Sequence, residues 1–159
     1  MSNACMQCGT EMTVGQENRP YADLPGVVLR GIDVYRCPTC GDYEVAIPRM
    51  DVLHEVLAHA ILAKRTTLVR QERRFLRNFI GWTEEELALR MGVSPDAVEA
   101  WERGDGDAGP VAERLLRMLA AVRLPGGGSP DEALALISNQ AAPLQVEVEA
   151  DAHGWRTAA

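Results

Sequence analysis

Two close pairs of cysteines constrain the folding of this chain more than any other feature. Cys5 and Cys8 form one Cys-x-x-Cys turn, Cys37 and Cys40 form a second, and a glycine follows each pair. Such a turn lets both thiolates reach one ion, and the glycine can adopt the backbone conformation that aims N–H groups at sulfur. Two turns together predict a closed tetrahedral site for zinc, with no position left for water. We therefore expect Zn²⁺ as a structural cofactor.

Two other interpretations of the cysteines remain open. The Cys-Pro-x-Cys-Gly half around Cys37 also resembles rubredoxin, an electron carrier in which four thiolates hold a redox-active iron. Rubredoxins surround that iron with aromatic side chains, and here only Tyr21, Tyr35 and Tyr43 are near in sequence, so iron is the weaker alternative. A dithiol–disulfide oxidoreductase needs one Cys-x-x-Cys pair at a helix start in a βαβ context, which this sequence lacks.

Composition narrows the class of protein further. Aromatic residues make up only 5% of the 159 residues, so we expect a metal or a partner chain to add stability. No apolar run reaches the length of a membrane span, and the first residues lack a secretion signal. Cysteines used as metal ligands fit a reducing compartment. These features predict a cytoplasmic protein with no membrane partner.

An enzyme is not expected. No Ser/His/Asp, Cys/His or paired-carboxylate arrangement stands out in the sequence. The run from His54 to His59 has one residue too many for the zinc-protease motif, and five residues turn a helix by about 140°, so the two rings diverge.

The sequence predicts a mainly α fold with a small zinc-stabilised β module. The predicted parts are a zinc-binding β module (residues 1–47), a linking helix (48–66), a helical domain (67–124) and a Gly/Pro hinge with a tail (125–159). In the tail, a capping box predicts a short helix over residues 130–138. Apolar residues then alternate from Leu144 to Val148, which is typical of a half-buried strand.

The segment from Glu84 to Arg103 fits the helix-turn-helix pattern. Ala88 is the small residue at which the two helices would cross, and Gly92 lies at the turn, where a positive φ is commonly needed. Apolar residues occupy the positions that hold the second helix against the first: Leu87, Met91, Val93, Val98 and Trp101. The alternative is a plain helical hairpin.

This segment resembles an Xre/Cro-type domain. With the preceding zinc module, which contains Leu24-Pro25-Gly26-Val27 and Cys37-Pro38-x-Cys40-Gly41, residues 1–124 resemble the MqsA-type antitoxins. These join a YgiT-type zinc finger to a helix-turn-helix. The resemblance implies a structural metal module that can bind a toxin, and a helical domain that dimerises and represses its own operon. The implied partners are duplex DNA at its own promoter, a toxin or other protein, and a second copy of the chain.

Charge is distributed unevenly along the helical region. The net charge is −7, yet residues 64–81 carry six basic side chains against one acidic, whereas residues 83–107 carry two basic against eight acidic. Four arginines recur at helical spacing before the motif and could bind phosphates beside a helix in the DNA groove: Arg70, Arg73, Arg74 and Arg77. The alternative is a solvated face that pairs with Glu84–Glu86.

The predicted recognition helix departs from the antitoxin pattern. Members usually carry Gln at the position of Glu84, and they read bases with Asn and Arg at the positions of Asp96 and Ala100. Carboxylates can accept a hydrogen bond from the N4 amino group of cytosine, but they repel the DNA phosphates. The candidate DNA-binding residues are Arg70, Arg73, Arg74, Arg77, Thr83, Ser94, Asp96, Ala97, Glu99, Ala100 and Arg103. The expected function is a DNA-binding transcriptional regulator; the alternative is a zinc-stabilised interaction adaptor that no longer reads DNA.

Overall fold

The structure, a computed structural model, describes residues 3–127, 129, 131 and 138–159. In these residues the elements are β1 (Thr13–Pro20), β2 (Val27–Arg36), β3 (Tyr43–Ala46), α1 (Met50–Ala63), β4 (Thr66–Thr67), α2 (Arg70–Ile80), α3 (Glu84–Met91), α4 (Pro95–Arg103), α5 (Gly109–Arg123), β5 (Ser138–Ala141), β6 (Val146–Asp151) and β7 (Gly154–Thr157). The short helix predicted over 130–138 lies outside the described residues, apart from Asp131 and Ser138. Within the described residues, no helix has the length and apolar character needed to cross a membrane.

The expectation of a mainly α fold is wrong. Helix accounts for 39% and strand for 26% of the structure, and five strands form one mixed sheet. The sheet has the order β1-β2-β6-β7, with β3 also paired to β2, so strands near the C-terminus complete a sheet begun near the N-terminus. The prediction failed because local alternation identifies a strand but not its partner, which here lies more than 100 residues away. The fold is α+β.

Strand β2 is the centre of this sheet. It pairs antiparallel with β1 along one edge, and its other edge is shared by β6, which pairs in parallel with residues 27–30, and β3, which pairs with residues 33–36. Gly31, with φ 61°, interrupts the alternation, so that Leu29 and Ile32 are both buried although they are three positions apart, with two residues between them. The turn that contains Cys37 and Cys40 and the C-terminal strands therefore lie at opposite ends of β2.

One hydrophobic core joins the sheet to the helices. Helix α1 lies between them, with Leu53, Leu57 and Ile61 completely buried. The last strands are tied to the start of α1, because the indole Nε1 of Trp155 donates to the carbonyl oxygen of Pro48 at 2.7 Å. The sheet therefore has a fixed position relative to the helical region.

A buried carboxylate ties three distant segments together. Glu72 is completely buried, and its oxygens accept from the backbone N–H groups of Val69 at 3.0 Å and Leu144 at 2.8 Å. Lys64 at the end of α1 forms an ion pair with the same side chain at 2.5 Å and also donates to the Ala142 carbonyl. A buried charge is tolerated only when it is paired and hydrogen-bonded, so these contacts hold α1, α2 and the tail in one arrangement.

Gly26 should be required for docking of the tail. It has φ 81°, and a Cβ at this position would lie 2.0 Å from the carbonyl oxygen of Leu144. We expect Gly26→Ala to lower the free energy of unfolding in urea by more than Gly31→Ala does. Gly31 also has a positive φ but has open space around its Cβ position, so it isolates the cost of backbone strain, about 1–2 kcal/mol. Equal losses would mean that the tail does not pass over Gly26.

Candidate metal centre and helix-turn-helix surface

Each cysteine pair lies in a tight turn closed by backbone hydrogen bonds. The N–H of Gly9 donates to the carbonyl oxygen of Cys5 at 2.8 Å, and the N–H of Gly41 donates to that of Cys37 at 3.1 Å. Both glycines have a positive φ, 73° and 76°, which a residue with a side chain rarely adopts. The second turn connects β2 to β3, so the long β2 strand delivers Cys37 to the first cysteine pair.

The four sulfur atoms form a compact cluster. All lie within 4.8 Å of one another, with Sγ–Sγ distances of 3.5 Å for Cys5–Cys40, 3.4 Å for Cys8–Cys37 and 3.7 Å for Cys8–Cys40. A tetrahedral zinc with Zn–S bonds of about 2.3 Å places its ligands roughly 3.8 Å apart. The cysteines are therefore arranged as a site that could hold one metal ion. Cys5 and Cys37 are buried, whereas Cys8 and Cys40 are exposed.

The pKa values of the two exposed thiols, Cys8 and Cys40, are shifted in opposite directions. Hydrogen bonds with Thr10 lower the pKa of Cys8 to about 6. A backbone hydrogen bond at Asp42 lowers the pKa of Cys40, but the neighbouring thiols, Cys37 first, raise it to about 12. A bound divalent cation must therefore displace protons at neutral pH, so metal affinity should rise as pH rises.

The metal centre has a small core of its own. Cys5 and Cys37 pack with Met12, and Tyr35 lies against this cluster, which is separate from the main core. Among the described residues, Tyr35 is the aromatic side chain that contacts the cluster, whereas a rubredoxin-like site needs several. Loss of a bound ion should therefore destabilise the two cysteine turns before it affects the main core.

Helices α3 and α4 form the hairpin that contains the helix-turn-helix pattern. Ala88 is completely buried, and Gly92 ends α3 with φ 71°. The candidate residues Thr83 and Ser94 cap the two helices, since each hydroxyl oxygen accepts from a backbone N–H two or three residues into the helix at 3.2 Å. Their hydroxyl groups thus have a structural use before any contact with DNA.

The four arginines of α2 contact the C-terminal end of α4, although Arg70 and Arg74 are also exposed to solvent. We call this set the arginine clamp: Arg70, Arg73, Arg74 and Arg77. Three carbonyl oxygens each accept from one of these side chains: Trp101 from Arg73 at 2.8 Å, Glu102 from Arg74 at 3.2 Å and Arg103 from Arg70 at 2.8 Å. The last carbonyls of a helix have no partner within the helix, so the clamp supplies one to each.

The fourth arginine holds a buried carboxylate. Arg77 donates to both oxygens of Glu102, at 2.5 and 2.8 Å, and both side chains are buried. The hydrogen bond with Glu102 raises the pKa of Arg77. Among the acidic partners that the sequence predicted for these arginines, Glu84 lies 3.7 Å from Arg77. Glu102 was not among the predicted partners. Its position could have been predicted, because Glu102 follows Val98 by four residues and so shares the buried face of α4.

The outward face of α4 carries negative charge. Asp96 and Glu99 are exposed, and Ala97 and Ala100 are partly exposed beside them. Arg103 donates to Glu99 and to an aspartate in the following turn, both at 2.7 Å, so its charge is neutralised. Among the candidate residues, Asp96, Ala97, Glu99 and Ala100 therefore lie on the outward face of α4, whereas Arg77 is buried and Arg73 is partly buried behind the helix.

Comparisons with known proteins assign no family. The chain matches no family model, no curated protein and no solved structure. What the molecule does must therefore be argued from its own two sites.

The metal centre makes a direct prediction. Elemental analysis of the purified protein should find one zinc per chain, and Cys37→Ser should abolish it, because three thiolates no longer close the tetrahedral shell. Hydrogen exchange should then show loss of protection at residues 3–12 and 37–42, with the amides of Leu53 and Leu57 still protected. A red, iron-containing protein, or unfolding of α1 together with the turns, would contradict this account.

The arginine clamp predicts unequal effects of two arginine substitutions. Arg77→Ala removes both close hydrogen bonds of the buried Glu102 carboxylate and leaves only Arg74, 3.4 Å away, so it should lower the free energy of unfolding by about 3 kcal/mol. Arg103→Ala also removes two carboxylate contacts, but these are exposed, so the loss should be below about 1 kcal/mol. Urea denaturation of both variants measures the difference. Similar losses would mean that Arg77 is not held in the interior.

Proposed function

We propose that this protein is a zinc-stabilised helix-turn-helix regulator of the antitoxin type, with α4 as its recognition element. One observation carries the proposal. The arginine clamp fixes the C-terminal end of α4 and leaves the first half of the helix facing outward. A helix that reads a partner must be held rigidly by groups behind it, and its N-terminal residues must be free to make contact.

The cysteine cluster supports a structural role for zinc in this proposal. Four thiolates are the donor set of structural zinc sites, and they leave no coordination position for a reactive water. The ion would hold the two turns at one end of β2, and β2 contacts the main core that carries α1. The proposed metal module is thus a fixed surface beside the helical region, where a toxin partner would bind in proteins of the type that the sequence resembles.

Promoter DNA is the first proposed partner of α4, and a homodimer would present two copies of this helix to adjacent half-sites. Of the arginines proposed from the sequence as DNA contacts, Arg70 and Arg74 are exposed, whereas Arg73 and Arg77 are engaged within the protein. The N-termini of α3 and α4 remain as sites at which backbone N–H groups could meet phosphates. Few cationic contacts remain, so specific affinity should be modest and should fall little with salt.

A second candidate function is supported by the charge of the same surface. Helices α3 and α4 carry the exposed acids Glu85, Glu86, Asp96 and Glu99, and the same hairpin exposes Leu89 at 80% and Val93 at 36%. An acidic surface with exposed apolar residues is complementary to a basic protein rather than to a polyanion. The second candidate is therefore an interaction adaptor whose helix-turn-helix holds a basic protein partner.

A titration with duplex DNA separates these functions. The zinc-loaded protein is added to labelled DNA from its own upstream region and to a scrambled duplex of equal length, with anisotropy as the measurement. We expect specific binding to the upstream region at low salt. Neutralising α4 with Asp96→Asn and Glu99→Gln should tighten binding to both duplexes several-fold, since phosphate repulsion falls and Arg103 loses one partner.

The control neutralises two exposed carboxylates of the zinc module, Glu11→Gln and Glu44→Gln, and should leave DNA binding unchanged if α4 is the contact. Equal tightening in both double variants would show only a net-charge effect and would count against α4 as the recognition element. Absence of binding at low salt, in wild type and in the neutralised variant alike, would contradict DNA as the partner and favour the adaptor.

A further inference from the structure

A cleft of about 270 Å³ lies on the side of α2 that faces the sheet. Its walls come from the loop after β1, from α1 and from α2. The lining residues that matter here are Asp23, His54, Gln71, Arg74, Phe75 and Asn78. The cleft is slightly smaller than the range of about 300–1,000 Å³ typical of drug-sized ligands, so a small metabolite would fill it.

The floor of the cleft is apolar and held in place. Phe75 is buried, and the ring of His54 meets it edge-on with centroids 5.4 Å apart. The Nε2 atom of His54 lies 3.0 Å from the hydroxyl of Tyr21, which fixes the imidazole against the sheet. Phe79 adds a second phenyl ring to the lining. An apolar group entering the cleft would therefore meet preformed aromatic surfaces.

The rim of the cleft carries one charge of each sign. Arg74 lies on α2, and Asp23 lies in the loop after β1. Burial and then the charge of Asp23 raise the pKa of Tyr21 to about 12. A ligand that pairs with both Arg74 and Asp23 must carry a negative and a positive group.

Arg74 has donors to spare. It uses Nη2 for the Glu102 carbonyl and has Nε 3.4 Å from the Glu102 carboxylate, which Arg77 already holds at 2.5 and 2.8 Å. A guanidinium has five N–H donors, so most of those on Arg74 remain for a ligand. Gln71 lines the same cleft, and within the described part of the chain its side-chain amide has no hydrogen-bond partner.

We propose that this cleft binds a small zwitterion of the α-amino acid class. The carboxylate of the ligand pairs with Arg74, its ammonium group pairs with Asp23, and its apolar side chain lies on Phe75 and Phe79. This site is distinct from the metal centre and from the outward face of α4.

Calorimetric titration of the zinc-loaded, full-length protein tests the proposal with L-phenylalanine as the probe. Two matched compounds each lack one charge: 3-phenylpropionate has no ammonium group, and 2-phenylethylamine has no carboxylate. We expect L-phenylalanine to bind and both analogues to bind at least about tenfold more weakly, because each loses one charge-assisted contact. Equal binding of the three compounds, or no binding of L-phenylalanine at millimolar concentration, would overturn the proposal.

Variants locate the site. Asp23→Asn and Arg74→Gln should each weaken binding of L-phenylalanine at least about tenfold. The matched control is Arg70→Gln, since Arg70 belongs to the arginine clamp but does not line the cleft. Asp23 is an exposed loop residue, so its variant should fold even if the Arg74 variant is destabilised. Unchanged affinity in Asp23→Asn, or an equal loss in Arg70→Gln, would contradict binding at this cleft.

Discussion

The C-terminal end of α4 sets the constraint on which the functional surface depends. A helix ends with carbonyl groups that have no partner, and here a buried carboxylate, Glu102, lies among them. Both needs are met by one face of α2, where three arginines of the clamp bind the carbonyls and Arg77 binds the carboxylate. The clamp fixes the direction in which α4 points. It also places the charge of Arg77 in the interior, beside Glu102.

Much of the two sites could be predicted from the sequence, because their determinants are local. The Cys-x-x-Cys-Gly spacing specifies each turn, and the chemistry of four thiolates then brings the turns together. The caps at Thr83 and Ser94 and the glycine at 92 fix the limits of α3 and α4 in the same local way.

The fold class could not be predicted, because it depends on contacts between distant segments. The alternation around Val148 marks a strand, but nothing local shows that it pairs with Leu29. The need for glycine in the Leu-Pro-Gly-Val segment is explained by the tail. A Cβ atom at Gly26 would collide with the carbonyl oxygen of Leu144. In the same way, helical spacing identified the face formed by the four arginines, but it did not show what that face meets.

The two sites are parts of one packed unit. The metal centre lies at one end of β2, the other end of β2 contributes Val27 and Leu29 to the main core, and the same core contains Leu87 and Val98 of the helix-turn-helix. The buried carboxylate of Glu72 ties the tail to this unit from the other side. A partner bound at the metal module and one bound at α4 would therefore share a single scaffold.

The central claim is that Arg73 and Arg77 of the arginine clamp are held by hydrogen bonds within the protein and are not free to bind DNA. Proton–nitrogen NMR spectra of the arginine side chains test it most directly. The Nε–H groups of Arg73 and Arg77 donate to Trp101 and Glu102, so they should exchange slowly and should not shift when duplex DNA is added. Arg70, which donates through Nη1, provides the fast-exchanging comparison. Fast exchange at all three arginines, with shifts on addition of DNA, would contradict the account.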